Sequence, residues 1–138
     1  NIGIAIDTPK GLIVPNIKEV NNLSISEISD EIGRMAIAAK ERKLKVDELK
    51  GSTFSVSSLG AIGGKFFTPI INPPEVAILG ISKTYKSLQL INGDIKETNM
   101  LPISLSYDHR LINGVEAVKF TTRFCELMKD SKFYKLNY

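Results

Sequence analysis

The chain opens on a strict alternation: Ile2, Ile4 and Ile6 are interleaved with Gly3, Ala5 and Asp7, the two-residue period of a strand with one buried face. Pro9-Lys10-Gly11 marks a turn and residues 12–17 return as a second extended run, so the first 17 residues predict a hairpin. The period then changes. Ile25, Ile28, Ile32, Met35 and Ala39 recur at three- and four-residue spacing as the apolar stripe of a helix. Ser24 and Glu27 form a capping box in front of it, and the helix should end near residues 42–44, before a short polar turn over 46–50. Residues 53–58 read as a strand, 59–64 as a glycine-rich connection, and 66–71 as an apolar stretch stopped by Asn72-Pro73-Pro74. Residues 75–82 are almost continuously apolar, as in a strand buried on both faces. Asn92-Gly93 suits a two-residue hairpin turn with arms 85–91 and 94–100. Residues 101–107 alternate again, and 113–129 carry Val118, Thr121, Phe124, Cys125 and Met128 at helical spacing. The order β-β-α-β-β-β-β-β-α, with two long helices to cover one sheet face, predicts an α/β two-layer sandwich with a mixed β-sheet.

Composition adds limits. With 138 residues, 43% hydrophobic and 24% charged, the chain fits one domain with a real core. It has no run of about 18 uncharged apolar residues, so no membrane span is expected. The net charge is +3, and the densest basic cluster, Lys40-Glu41-Arg42-Lys43-Leu44-Lys45, falls at the predicted helix end. Cations there complement the helix dipole, and binding of a phosphorylated ligand is the alternative use. Basic and aromatic residues are not interleaved, which argues against nucleic acid. Cys125 is the single cysteine, so no intramolecular disulfide can form and a reducing compartment is expected. Its place within the apolar helical pattern predicts a small buried hydrophobe.

Candidate chemistry centres on His109, the only histidine, placed between the last strand and the last helix. Taken alone, a histidine between Asp108 and Arg110 reads more readily as structural than as catalytic. Ser57, taken alone, reads as a strand-end hydroxyl bonding nearby backbone.

The surrounding string changes that weighting. Asp108-His109-Arg110-Leu111-Ile112-Asn113-Gly114 resembles the Asp-His-Arg-x-x-Asp-Gly signature of the dihydrolipoamide acyltransferases, within the coenzyme A-dependent acyltransferases. Three further blocks match in order: Asn1-Ile2-Gly3-Ile4-Ala5-Ile6-Asp7-Thr8-Pro9, Thr53-Phe54-Ser55-Val56-Ser57-Ser58-Leu59-Gly60, and Phe67-Thr68-Pro69-Ile70-Ile71-Asn72-Pro73-Pro74-Glu75-Val76-Ala77-Ile78-Leu79-Gly80. The resemblance covers essentially the whole chain and is strongest to the acetyl-transferring members of pyruvate dehydrogenase complexes. It implies a chloramphenicol acetyltransferase-like fold. Residues 1–138 would then be the C-terminal part of such a catalytic domain, truncated at its N-terminus.

The resemblance also implies a reaction: an acyl group moves between a lipoyl thiol, carried on a separate lipoyl domain, and coenzyme A. His109 would be the general base and Ser57 the donor to the tetrahedral oxyanion, with no covalent acyl-enzyme. Position 113 departs from the signature. Asn113 keeps the size and hydrogen bonding of aspartate but loses its charge, which would weaken stabilisation of a protonated His109 while leaving activity. Family members form trimers with the site between two subunits, so His109 and Ser57 of one chain should not face each other. The trimers build a larger core that holds the decarboxylase and dihydrolipoamide dehydrogenase components. The segment 66–74 would serve an interface or the core, and the apolar tail 133–138 inter-trimer contacts. A bacterial cytoplasm is the expected setting, the mitochondrial matrix the alternative. Two other readings stay open: a truncated scaffold that assembles without catalysing, and another acyltransferase such as chloramphenicol acetyltransferase, against which the 67–74 block and the Asp-His-Arg start argue.

Overall fold

The computed structural model describes residues 1–130. The opening alternation yields β1 (Ile2–Ile4), β2 (Ile6–Thr8), β3 (Gly11–Ile13) and β4 (Asn16–Ile17). Then come α1 (Ile25–Glu41), β5 (Phe54–Ser58), β6 (Ala77–Ile81), β7 (Tyr85–Ile91), β8 (Asp94–Met100), β9 (Ile103–Tyr107) and α2 (Gly114–Lys129). Five strands make one mixed sheet in the order β4-β1-β5-β6-β9. β1, β5 and β6 run parallel, and β9 is antiparallel to β6. The predicted α/β sandwich with a mixed sheet is therefore present.

The N-terminal hairpin also forms, but in two pieces. Ile2 faces Ile17 in the main sheet, whereas Ile6 faces Ile13 in a separate two-stranded ribbon. Pro15 has no N–H and cannot continue a ladder, though its carbonyl still accepts from the Ile4 N–H at 2.8 Å. On the other strand the Ala5 N–H turns to the Val56 carbonyl at 2.9 Å, so the ribbon peels off where its parent strand stays in the sheet.

The two faces of the sheet differ in chemistry. One row reads Ile4, Val56, Leu79, Leu105, apolar throughout. α2 packs against that face, with the Phe120 ring 5.8 Å from Phe54. The opposite face carries Gly3, Ser55, Ile78, Ser106 in one row and Ser57, Gly80, Ser104 in the next. β6 is buried on both faces, as its composition predicts: Ala77, Ile78 and Leu79 are all at most 5% exposed. α1 contributes buried Met35 and Ala39, and Met35 alone is worth about 1.5–3 kcal/mol of burial. Its predicted capping box is complete, with the Ser24 hydroxyl accepting from the Glu27 N–H and the Glu27 carboxylate accepting from the Ser24 N–H at 2.7 Å. The predicted polar turn is a short 3-10 segment, Val46–Leu49.

Three expectations need adjustment. Cys125 is exposed, not buried. The inward stripe of α2 runs through Gly114, Ala117, Thr121, Phe124 and Leu127, while Val118 is 64% and Met128 45% exposed. Helical spacing fixes the interval of a stripe; the approach of the small Ala117 to the sheet decides which of two adjacent stripes turns inward. Second, β7 and β8 pair across the Asn92-Gly93 turn, both residues at positive φ as that turn requires, but form a ribbon apart from the main sheet. Third, residues 66–74 split their roles: Pro69 is buried and Phe67 half-buried, whereas Phe66 and Ile70 are exposed. The tail 133–138, assigned above to inter-trimer contacts, lies outside the described residues. No described helix is long and apolar enough to cross a membrane.

At Gly80 a ring and a proline from the 67–69 segment press onto the sheet. A Cβ there would lie 2.9 Å from the Phe67 ring and 3.2 Å from Pro69 Cδ. Gly80→Ala is therefore expected to destabilise the fold by about 1–3 kcal/mol, seen as a lower urea midpoint at unchanged slope. A midpoint equal to the parent's would show that the 67–69 segment yields freely.

Candidate active site

The position of His109 is built from both sides. Ala77 faces Tyr107 in the β6–β9 ladder, and one step further the Asp108 N–H donates to the Val76 carbonyl at 2.8 Å. The chain then turns: the Leu111 and Ile112 N–H groups both donate to the Asp108 carbonyl at 3.0 Å. The Asp108 carboxylate accepts from the Arg110 N–H at 3.0 Å and from its guanidinium at 2.6 and 2.9 Å. His109 thus leaves a turn clamped on its own backbone. Its ring lies 5.6 Å from the Tyr107 ring, exposed, and makes no hydrogen bond within the described residues.

The guanidinium of Arg110, and then its backbone N–H, hold the Asp108 carboxyl down at about 2 from an ordinary 3.8. The Arg110 side chain is 88% exposed, so this pair adds little to stability; its effect is on the shape of the turn.

Asn113 occupies the N-cap of α2. Its side-chain oxygen accepts from the Glu116 N–H at 3.0 Å, and the Glu116 carboxylate accepts from the Asn113 N–H at 2.9 Å. Asparagine and aspartate serve equally well in that role. The signature's second half therefore does a local job: it starts the helix one turn after the histidine.

Ser57 lies near the C-terminal end of β5, half-buried, opposite Gly80. Its hydroxyl bonds no backbone group within the described residues, so the local-capping reading of Ser57 does not apply. It is far from His109. Ser57, Gly80 and Ser104 form one row, and Tyr107 is three residues along β9 from Ser104. At about 3.3 Å per residue and about 4.8 Å per strand, Ser57 and Tyr107 are about 14 Å apart, with His109 farther still. His109 and Asn113 lie four residues apart on either side of one turn, and Ser57 lies at the other end of the sheet.

Glu75 escaped the sequence reading. It is only 7% exposed, and one of its oxygens accepts from the Ser52 hydroxyl and, at 3.2 Å, from the Asn72 amide. The available signal was an acidic residue at the start of an otherwise apolar stretch. Among the described residues no cluster of histidine, cysteine and carboxylates could hold a metal ion.

Two outcomes follow from this geometry. Asn113→Ala should cost about 1 kcal/mol of stability through the lost cap, and Asn113→Asp less than about 0.5 kcal/mol, both measured by denaturant titration. Asp108 has its carboxyl depressed in the folded state, so its contribution is present above the ordinary value of 3.8 and is lost as pH falls through about 2. In Arg110→Met the carboxyl should titrate back in the ordinary carboxylate range, read from its 13C shift; an unmoved titration would mean that the guanidinium does not set it.

Known proteins with this sequence pattern agree on its kinship. The family model for the 2-oxoacid dehydrogenases acyltransferase (catalytic domain) matches residues 1–135. The dihydrolipoyllysine-residue acetyltransferase component of pyruvate dehydrogenase complex from Cupriavidus necator is 48% identical over 130 residues, 94% of this chain and 24% of that protein. A solved structure of the Azotobacter vinelandii dihydrolipoamide acetyltransferase superposes with a TM-score of 0.89 at 47% identity, over 94% of this chain and 53% of that one. The cubic core of a pyruvate dehydrogenase multienzyme complex superposes with a TM-score of 0.87 at 49% identity, over 94% and 53%. The chain thus spans about a quarter of the curated relative and about half of the solved chains. It belongs to the family of 2-oxoacid dehydrogenase acyltransferase catalytic domains.

Proposed function

We propose that the chain transfers an acyl group, acetyl above others, between dihydrolipoamide and coenzyme A, with His109 as general base and Ser57 as oxyanion donor. One observation carries this reading. In the Azotobacter vinelandii enzyme a serine, a histidine and an asparagine were investigated for their role in the catalytic mechanism, the serine 52 positions before the histidine and the asparagine four after it. Ser57, His109 and Asn113 have the same spacings. Asparagine at 113 is thus shared with that protein.

The chemistry assigns each residue one task. The His109 imidazole takes the proton of the attacking thiol, a role for which a neutral imidazole ring is suited. As the thiolate adds to the thioester carbonyl, the Ser57 hydroxyl donates to the developing oxyanion. His109 then returns its proton to the departing thiolate as the carbonyl re-forms. Asn113 fixes the helix that follows the histidine, and the Asp108–Arg110 pair fixes the turn that presents it.

Both groups must reach one reacting carbon, yet strand geometry separates them by well over 10 Å within one chain. We therefore assign the site to two copies, His109 from one and Ser57 from the next, in a closed ring such as a trimer. The acyl donor's lipoyl arm, on its separate domain, and coenzyme A would meet in the space between them. Assembly into a larger core with decarboxylase and dihydrolipoamide dehydrogenase components, and a bacterial cytoplasmic setting, extend the same reading; bacterial relatives in pyruvate dehydrogenase complexes support it.

Acetyl transfer from acetyl-CoA to dihydrolipoamide should be abolished in His109→Ala and reduced by about 10²–10³ in Ser57→Ala. Asn113→Asp should turn over at least as fast as the parent; slower turnover would show that the neutral amide itself is needed. Co-assembling the His109→Ala and Ser57→Ala chains should restore about a quarter of parental activity, because one random arrangement in four joins an intact histidine to an intact serine. No recovery from co-assembled chains would place both residues in one subunit's site. Assembly without transfer in the parent would instead support a scaffold.

A further inference from the structure

We infer that Glu75 is a positioning residue for His109, an inference that takes only the role of His109 from the reading above. The register makes the case. Ser55 faces Ile78 in the parallel ladder, which places Ser52 beside Glu75 three residues earlier; the hydrogen bond from the Ser52 hydroxyl to Glu75 shows that the row continues that far. On the other side Ala77 faces Tyr107, and the Asp108–Val76 bond at 2.8 Å is the last rung of that ladder. The ladder ends at that rung, so Glu75 is joined to the histidine turn through Val76, the residue that follows it. Glu75 therefore stands beside Ser52 and one residue before the last rung, at the end of the sheet from which the histidine leaves.

Its bonds join three segments at that point. Ser52 leads into β5, Asn72 belongs to the connection before β6, and Glu75 precedes Val76, whose carbonyl holds Asp108. The other carboxylate oxygen is buried with no hydrogen-bond partner among the described residues. A buried carboxylate left half-satisfied costs stability, and an apolar side chain of similar size would fill the space more cheaply. What the carboxylate supplies is an acceptor that locks Ser52 and Asn72 at once, and through Val76 fixes the strand end that sets the His109 backbone.

The test uses Glu75→Leu, which fills the space without acceptors, and Glu75→Gln, whose amide oxygen still accepts from both donors. Because the chain has one histidine, its imidazole C–H resonances report His109 alone. In Glu75→Leu those resonances should shift or split while the circular dichroism spectrum and self-association match the parent. Its kcat should fall by about ten-fold or more with KM for coenzyme A within about two-fold, since displacing a catalytic group costs turnover rather than binding. Glu75→Gln should recover the parental resonances and most of kcat. A folded Glu75→Leu with parental resonances and kcat would overturn the inference. So would a Glu75→Gln as impaired as Glu75→Leu, which would assign the effect to charge. If Glu75→Leu fails to fold, the double variant Ser52→Ala/Asn72→Ala removes the same bonds from part-buried positions and should give the same signature. If the parent shows no transfer, the functional reading fails, while the resonances still judge Glu75.

Discussion

The direction of the strands around β6 governs the rest of this structure. β6 is buried on both faces and bonded along both edges, parallel to β5 and antiparallel to β9. A parallel neighbour carries its C-terminal end to the same end of the sheet as β6; an antiparallel neighbour carries its own to the opposite end. Ser57 sits near the end of β5 and His109 just past the end of β9. Two groups suited to one reaction are thus held apart by backbone pairing, which no side-chain rotation can undo. Under the proposed assignment of His109 and Ser57, the need for a second copy comes from the ladder itself.

The histidine turn shows how much of a site can be local. Most of the bonds that shape it join residues within a few positions: Arg110 to Asp108, Leu111 and Ile112 to the Asp108 carbonyl, Glu116 to Asn113. None of these is worth much alone, and the exposed ion pair contributes least. Together they leave the backbone on either side of His109 little freedom, which is what the general base proposed here would need before substrate arrives. The long-range part is small: the rung to Val76 on one side and the packing of Ala117 on the other. Glu75 acts on that first contact.

The other face of the sheet explains the small residues. Gly3, Ser55, Ser57, Gly80, Ser104 and Ser106 lie there, and a Cβ on Gly3 would come within 3.0 Å of Val14 and meet the Ser55 hydroxyl. The segment with Phe67 and Pro69 can press onto Gly80 because nothing projects from it. Close approach of neighbouring side chains is the reason for glycine here, rather than any unusual dihedral angle. Buried polarity is handled similarly: the Asn16 amide, 1% exposed, donates to the Glu48 and Lys50 carbonyls at 2.9 and 3.0 Å and so ties β4 to the short 3-10 segment.

By itself the sequence determined the elements and their local chemistry. Periods of two and of three to four residues, a capping box at Ser24, a turn at Asn92-Gly93 and an apolar run at 75–82 are all short-range signals, and each produced its element. The motif from Asp108 to Gly114 was equally legible because its bonds close within one turn. Tertiary structure decided what depends on which elements meet. Pro15 and the pull of Val56 split the first hairpin. The approach of Ala117 turned Cys125 outward against a pattern that allowed either face. Glu75 was hidden because a lone carboxylate beside an apolar strand gains meaning only from Ser52, 23 residues earlier in the chain, and from Val76, whose carbonyl holds the Asp108 N–H. Periodicity states which residues share a face; only strand pairing states which end of the sheet they occupy.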